Sequence, residues 1–369
     1  PVTDPLVCKE LAERREVFDD APPLAQVFPD AGQVFVRSSW EPGADYLAFD
    51  AGTWGGAHTH LSRLSLVFRT KGRALLADTG ILSYESSEPI GPYGRSTGAH
   101  STLSVNGLNQ ADADARLMRT EFTRDFTLLE GKYVGSYWPG RITWGFQDSH
   151  GVGAFGIHER VLLWVHGEYL LVLDRMECDD DRTVHACWQS APVDGWETDA
   201  ETLAWRSKNA EVNLLVKMLY APEGTTMHCF EGQNDPPRGL IGDASHRREP
   251  IPAPVVEFRY PGKRFPGRFT ATLLAPFEGT DAPAFEVVEA RPAADPWDRL
   301  QLHYLTLARP DGSTDTVGWS QDLEIPVEID GPFVTDATFV WCRRDAKGKV
   351  TRHFAPGGTY LEVDGKRVV

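Results

Sequence analysis

Staples, membrane spans and phosphate-binding charge are all scarce in this sequence. Its five cysteines (Cys8, Cys178, Cys187, Cys229 and Cys342) are scattered without C-x-x-C spacing. That excludes a zinc knuckle or a dense disulfide framework, and no disulfide is expected. No apolar run approaches the roughly 18–20 residues of a membrane-spanning helix, so no membrane partner is expected. Positive charge is in deficit: 37 Lys and Arg face 53 Asp and Glu, a formal net charge of −16. Phosphate binding needs clustered Lys and Arg, so the balance argues against nucleic acid. It also argues mildly against heavily sulfated ligands, although a local basic cleft can coexist with an acidic exterior. Helix signals are few, and only residues 5–17, with Leu6, Leu11 and alternating charges, read as a helix. The first residue is Pro1, and without a Met or a leader the chain reads as a processed or excised piece. A secreted or periplasmic origin is the expectation, although no address is written in these residues.

What the chain does have is aromatic residues and short apolar runs. Eleven Trp, 18 Phe and 10 Tyr fill sandwich cores well, and a flat ring can also stack on a sugar. After a Pro-rich connector, DDAPPLAQVFPDAG, strand and turn signals continue almost to the end. LSLVFRTKGRALLADTG reads as a hairpin around Lys71-Gly72, and RVLLWVHGEYLLVLDRM repeats the form around His166-Gly167. Further runs at VNLLVKMLYA, VVEFRYPGKRFPGRFTATLLA, LQLHYLTLA and TFVWCRRDAKGKVTRHFA lead to a terminal TYLEVDGKRVV hairpin. The segment 234–254 reads as a long loop. The expectation is an all-β fold, a large multi-sheet antiparallel β-sandwich with a short N-terminal helix. Its organisation is expected as a helical remnant and linker over 1–32, a main sandwich over 33–290 and a completing sheet portion over 291–369.

The region from Trp54 to Gln110 carries the chemistry. His58 and His60 stand two residues apart at the start of an expected strand, where a period of two turns both imidazoles to one face. Asp78 closes the second strand of the following hairpin, and His100 opens the next. With strands about 4.8 Å apart, two imidazoles and one carboxylate can converge on a point. Such a set, with one position open, suits tetrahedral zinc. The bland alternative is a chance H-x-H pair and a turn-forming Asp before Thr79-Gly80.

The surroundings decide between the two. Gly-Gly-Ala-His-x-His-x-x-x-Leu-Ser, then Leu-Leu-x-Asp-x-Gly, Tyr84, Arg95-Ser96-Thr97, Ala99-His100-x-Thr102 and Val105-Asn106-Gly107 together resemble the signature of heparinase II/III-like polysaccharide lyases. His158-Glu159-Arg160 and His185 near Trp188 are similar to that family too. The match is close over roughly residues 34–190. Two departures are Ser62, where the family often has Asp, and Ser101, where it usually has Asn. Both put ligand orientation and substrate preference in question more than the fold.

The resemblance implies a two-part enzyme, an α/α toroid plus a multi-sheet β-sandwich, with an acidic polysaccharide in the cleft between them. This chain would be the sandwich, its toroid partner lying outside these residues, so that little activity is expected of it alone. The reaction implied is β-elimination at a uronic acid. His58 aligns with the sandwich-borne catalytic histidine, as base or as a group facing the carboxylate. His60, Asp78 and His100 align with the ligands of one zinc ion, mainly structural. Tyr84 and Arg95 are candidates for substrate contact. His150, His166, His228, His246, His303 and His353 read as surface or strand-filling residues. Three competing readings stand beside this one: a uronyl C5-epimerase, a non-catalytic carbohydrate-binding module and a zinc hydrolase. The last is disfavoured by the absence of an H-E-x-x-H arrangement.

Overall fold

The structure is a computed structural model that describes residues 23–56, 58–83, 88–139, 142–143, 146–147, 153–242, 249–265, 267–291, 302–320 and 332–368. The expected helix at 5–17 and Tyr84 lie outside the described residues.

The described chain is nearly all antiparallel sheet, as expected. Its centre is a nine-stranded sheet running Trp196–Asp199, Ala204–Ser207, Val212–Tyr220, Arg268–Glu278, Tyr169–Cys178, Ala154–Val165, Phe126–Trp138 and Asn109–Gln110, with Ala115–Phe122 also paired to Phe126–Trp138. Both faces of this sheet are covered, which explains why its strands read as unbroken apolar runs such as RVLLWV. Leu162, Trp164 and Val172 pack into one core, and Val161, Leu163 and Leu171 into another.

Two smaller sheets cover the first of these faces. One is five-stranded, running in order through Ala25–Phe28, Gln33–Arg37, Tyr46–Asp50, Ser65–Thr70 and Arg73–Leu76. The other joins Thr226–Phe230, Val255–Pro261, Thr183–Gln189 and Leu103–Val105. The second face meets a C-terminal sheet of Glu286–Arg291, Leu302–Ala308, Thr314–Ser320, Phe339–Arg344 and Val350–Phe354. Its outer side is covered in turn by a three-stranded sheet built from Phe333–Thr335, Leu361–Val363 and Lys366–Arg367. The four free cysteines among the described residues, Cys178, Cys187, Cys229 and Cys342, form no disulfide.

The expected hairpins are present. Lys71 and Gly72 both take positive φ (50° and 77°) to join Ser65–Thr70 to Arg73–Leu76, the tight turn that matches strand twist. Part of 234–254 differs from the expected loop. Gln233–Asn234 pairs with Pro237–Arg238, and Leu240–Ile241 with Ile251–Pro252. Backbone pairing satisfies polar groups that an irregular loop packed on the sheets would leave stranded.

One buried ion pair ties the central sheet to the covering layer. Arg160 and Asp174 lie directly opposite one another on adjacent strands, 0% and 2% exposed. The Arg160 guanidinium donates to both Asp174 carboxylate oxygens, Nε at 2.7 Å and Nη2 at 2.9 Å. His158 lies 2.8 Å from Asp174 Oδ1 on the same side. Burial opposes ionisation of Asp174, but Arg160 first and then His158 outweigh it and hold the carboxyl at about 2. The remaining Arg160 nitrogen, Nη1, donates at 2.7 Å to the carbonyls of both Leu64 and Ser101. Its guanidinium also sits 5.3 Å from the Trp188 ring centroid.

Replacing Arg160 with Met strands a buried carboxylate and two carbonyls, so a loss of about 3–5 kcal/mol is expected in urea unfolding at pH 7. Because the folded carboxyl is depressed, this contribution is present above the ordinary carboxylate range and fades as pH falls from about 4 to about 2. The deficit of Arg160→Met should therefore narrow over that window.

Candidate functional site

The candidate ligands converge, although not on neighbouring strands of one sheet as expected. His58 and His60 precede the strand Ser65–Thr70 in an irregular stretch. Asp78 lies two residues past Arg73–Leu76. His100 follows a short 3-10 turn, Thr97–Ala99, and comes before Leu103–Val105, a strand of the four-stranded sheet. The site therefore sits on loops where the two covering sheets meet. Strand backbone leaves its donors and acceptors committed to the ladder, whereas loops let three chain segments approach end-on.

These loops are sewn together by buried hydrogen bonds. Arg63, 3% exposed, donates to the carbonyls of Thr53 (2.9 Å) and His60 (3.1 Å). Its own carbonyl accepts from Thr102 Oγ1 at 2.7 Å and Gln110 Nε2 at 3.0 Å. Leu61 N donates to Arg95 O at 3.0 Å, and Thr97 Oγ1 donates to Leu61 O at 2.8 Å. Thr79 Oγ1 donates to Ala99 O, joining the Asp78 segment to the His100 segment. Arg63, Thr79 and Gln110 had no motif to flag them, and Thr97 stood in the Arg95-Ser96-Thr97 run without an assigned role. Each is a common residue type whose role depends on what folds against it.

One nitrogen or oxygen from each of His60, Asp78 and His100 lies within 4.8 Å of the others. His60 Nδ1 is 3.0 Å from His100 Nε2, and Asp78 Oδ2 is 3.4 Å from the same nitrogen. Donors at the corners of a zinc tetrahedron, each about 2.0–2.1 Å from the ion, are separated by about 3.3 Å. The tautomer suits as well. His100 Nδ1 donates to the Ser96 carbonyl at 2.8 Å, which leaves the Nε2 lone pair facing the other two donors. Asp78 Oδ1 accepts from Gly80 N at 2.7 Å, leaving Oδ2 on the inner side. The set has the chemistry and spacing to hold a divalent cation.

Charge around the group favours the neutral ligand form of His60. Burial first, then the neighbouring charges of His100, Arg95 and Arg63, outweigh the pull of Asp78 and press its pKa to about 4. For Asp78, burial opposes ionisation, but the His100 and His60 imidazoles and the Gly80 N–H together lower its pKa.

His58 is exposed, with its backbone in the left-handed region at φ 70°. A non-glycine residue there is uncommon, and such positions cluster at functional sites. Together with His60 and Asp78 it lines a groove of about 480 Å³, within the size range of ligand clefts. Arg95 is only 8% exposed, at the end of the helical turn Ile90–Gly94, where its charge acts on His60. Ser62 donates to Asp50 Oδ2 at 3.2 Å. Ser101 faces the opposite way, accepting from Gln189 N at 3.0 Å and giving its carbonyl to Arg160.

The chain belongs to the heparinase II/III-like family: residues 20–270 match the model of its C-terminal region. Among individual proteins it is similar to a heparin-sulfate lyase of Pedobacter heparinus, with 23% identity over 273 residues, 72% of this chain and 37% of that one. The crystal structure of a heparan sulfate lyase from Pedobacter heparinus aligns at a TM-score of 0.66 with 19% identity, covering 83% of this chain and 46% of the other. A heparinase III gene product aligns at 0.66 with 16% identity, covering 85% and 44%. The chain thus spans less than half the length of these relatives.

His185 does not join the metal group. It lies on Thr183–Gln189 with Nδ1 3.1 Å from Glu257 Oε1, a carboxylate that Arg238 and Arg259 also engage. Burial first, then the charges of Arg259 and Arg238, lower its pKa from 6.5 to about 4. The unfolded chain therefore takes up a proton that the folded one refuses, and stability falls as pH drops from about 6.5 to about 4. Chemical unfolding of His185→Gln at pH 7.5 and pH 5 should show an acid loss smaller than that of the unsubstituted chain by about 2 kcal/mol.

Proposed function

We propose that this chain forms the sandwich half of a polysaccharide lyase that cleaves a uronate-containing polymer by β-elimination. In this reading His58 moves a proton, and one zinc ion is held by His60, Asp78 and His100. The observation that carries the reading is an exposed imidazole in a strained backbone, two residues from a convergent three-donor group and facing the same groove.

The chemistry follows from the substrate. The C5 proton of a uronate lies α to a carboxylate and is weakly acidic. A base removes it, a double bond forms between C4 and C5, and the C4–O4 bond breaks as an acid protonates O4. Both transfers suit a positioned imidazole or phenol, and the developing charge needs fixed donors nearby. His58 serves as the base or as the group facing the carboxylate. Zinc, when bound, anchors the loops that present His58. Burial first, then His100, Arg95 and Arg63, keep His60 unprotonated for that task. The remaining proton-transfer groups come from an α/α toroid closing the other side of the cleft. The heparin-sulfate and heparan sulfate lyases among the relatives support this substrate class.

Two outcomes are expected. Zinc titration of the chain, read by elemental analysis after dialysis, gives about one ion per chain with a rise in melting temperature, and His100→Ala loses both. When the sandwich is joined to its helical partner, His58→Ala lowers kcat by about 10²–10⁴-fold with zinc content unchanged. Turnover is followed by ultraviolet absorbance of the unsaturated uronate, a product that epimerisation does not make. The 369-residue chain alone should show little of this absorbance. Robust turnover by it would overturn the two-part reading.

A further inference from the structure

The groove at His58 does not end at the metal group. It continues over the open face of the five-stranded sheet, where strand alternation leaves three cross-strand rows outside the core. Nearest the site stand Gln33, Asp50 and Ser65, then Phe35, Ala48 and Val67, and last Arg37, Tyr46 and Arg69. The first two rows line the groove. Ala48 is the small residue of the middle row, between Phe35 and Val67, so the floor there is flat and apolar. At about 3.4 Å per residue, four residues carry the track about 14 Å from the Asp50 row to the Tyr46 row.

Aromatic rings run along this face, from Phe28 beside the Gln33 row to Tyr46 in the last row. Phe35 stacks on Tyr46, with centroids 6.4 Å apart and planes 20° apart, and Phe28 meets Phe35 edge-on at 5.8 Å. Phe28 and Trp40 remain 47% and 40% exposed. The Arg37 guanidinium lies 4.9 Å from the ring centroids of both Trp40 and Tyr46. Among the described residues its guanidinium makes these ring contacts and no hydrogen bond or ion pair. In a chain with 53 acidic and 37 basic groups, an arginine held by two rings with no carboxylate partner is poised for an external acid. Arg69, in the same row, is already committed to the carbonyls of Pro42 and Gly72.

We propose that this face is a sugar-binding track continuous with the His58 groove, and that Arg37 receives the carboxylate of a uronate unit remote from the reacting one. The inference rests on the lyase reading and adds a subsite to it. A planar guanidinium already fixed on aromatic faces matches a carboxylate in a two-pronged geometry and loses little freedom on binding. The flat apolar floor suits the faces of the intervening sugar rings. A carboxylate is chosen over a sulfate because the planar fork of Arg37, held on two ring faces, matches two oxygens in one plane, while Arg69 beside it is turned to the Pro42 and Gly72 carbonyls.

The test uses zinc-loaded chain and unsulfated oligouronates of increasing length, with affinity read by calorimetry. Affinity should rise from the shortest to the longest oligomer, and Arg37→Met should abolish about a tenfold share of that rise while leaving the shortest oligomer's affinity unchanged. Arg37→Lys, which keeps the charge but not the fork, should fall between the two. Neutral oligosaccharides of equal length should show no dependence on residue 37. Equal affinity of the unsubstituted and Arg37→Met chains for the longest oligouronate overturns the track, as does a dependence confined to sulfated oligomers. If neither protein binds any uronate oligomer, the track is overturned as well, whereas the lyase reading stands or falls separately on turnover by the sandwich joined to its helical partner.

Discussion

The arrangement at the candidate site depends on one buried guanidinium. Arg160 stands on a central strand, neutralised by Asp174 across the ladder, and spends its outer nitrogen on the carbonyls of Leu64 and Ser101. Leu64 lies four residues after His60, and Ser101 directly follows His100. A single side chain on the central sheet therefore ties down the segments that carry two of the three candidate ligands. An ion pair buried in this way contributes little net stability compared with an apolar substitute. What it supplies here is position: two loop carbonyls that water cannot reach are satisfied in one geometry only.

Layering explains why such bracing is needed. The central sheet is covered on both faces, so the side chains at its centre are committed to packing. The covering layer is divided into two sheets, and their meeting point is where backbone leaves the ladder. The candidate groups gather at that junction because loops there can turn His58 into a left-handed conformation and bring three segments together. The hydrogen bonds through Arg63, Thr79 and Thr97 then recover the rigidity that a strand would have supplied.

Charge is distributed with the same logic. The chain is acidic as a whole, yet Arg63, Arg95 and Arg160 are all buried close to the ligand loops. Burial first, then the charges of His100, Arg95 and Arg63, favour the neutral form of His60 that can bind a metal. Net charge thus describes the exterior and says little about the groove, which Asp50, Arg63 and Asp78 line together.

How much of this was legible in the sequence depended on the range of the interaction. Binary patterning and turn residues are local, so the hairpins at Lys71-Gly72 and His166-Gly167 and the all-β class could be read directly. The family resemblance carried His58, His60, Asp78 and His100 as a set. Their placement on strands could not be read correctly, because the ligands sit between elements, and alternation says nothing about where a strand begins. Arg63, Thr79 and the open row ending at Arg37 were invisible for a related reason. Their roles arise from contacts between segments distant in sequence, and only the packing of one sheet on another brings those segments within hydrogen-bonding distance.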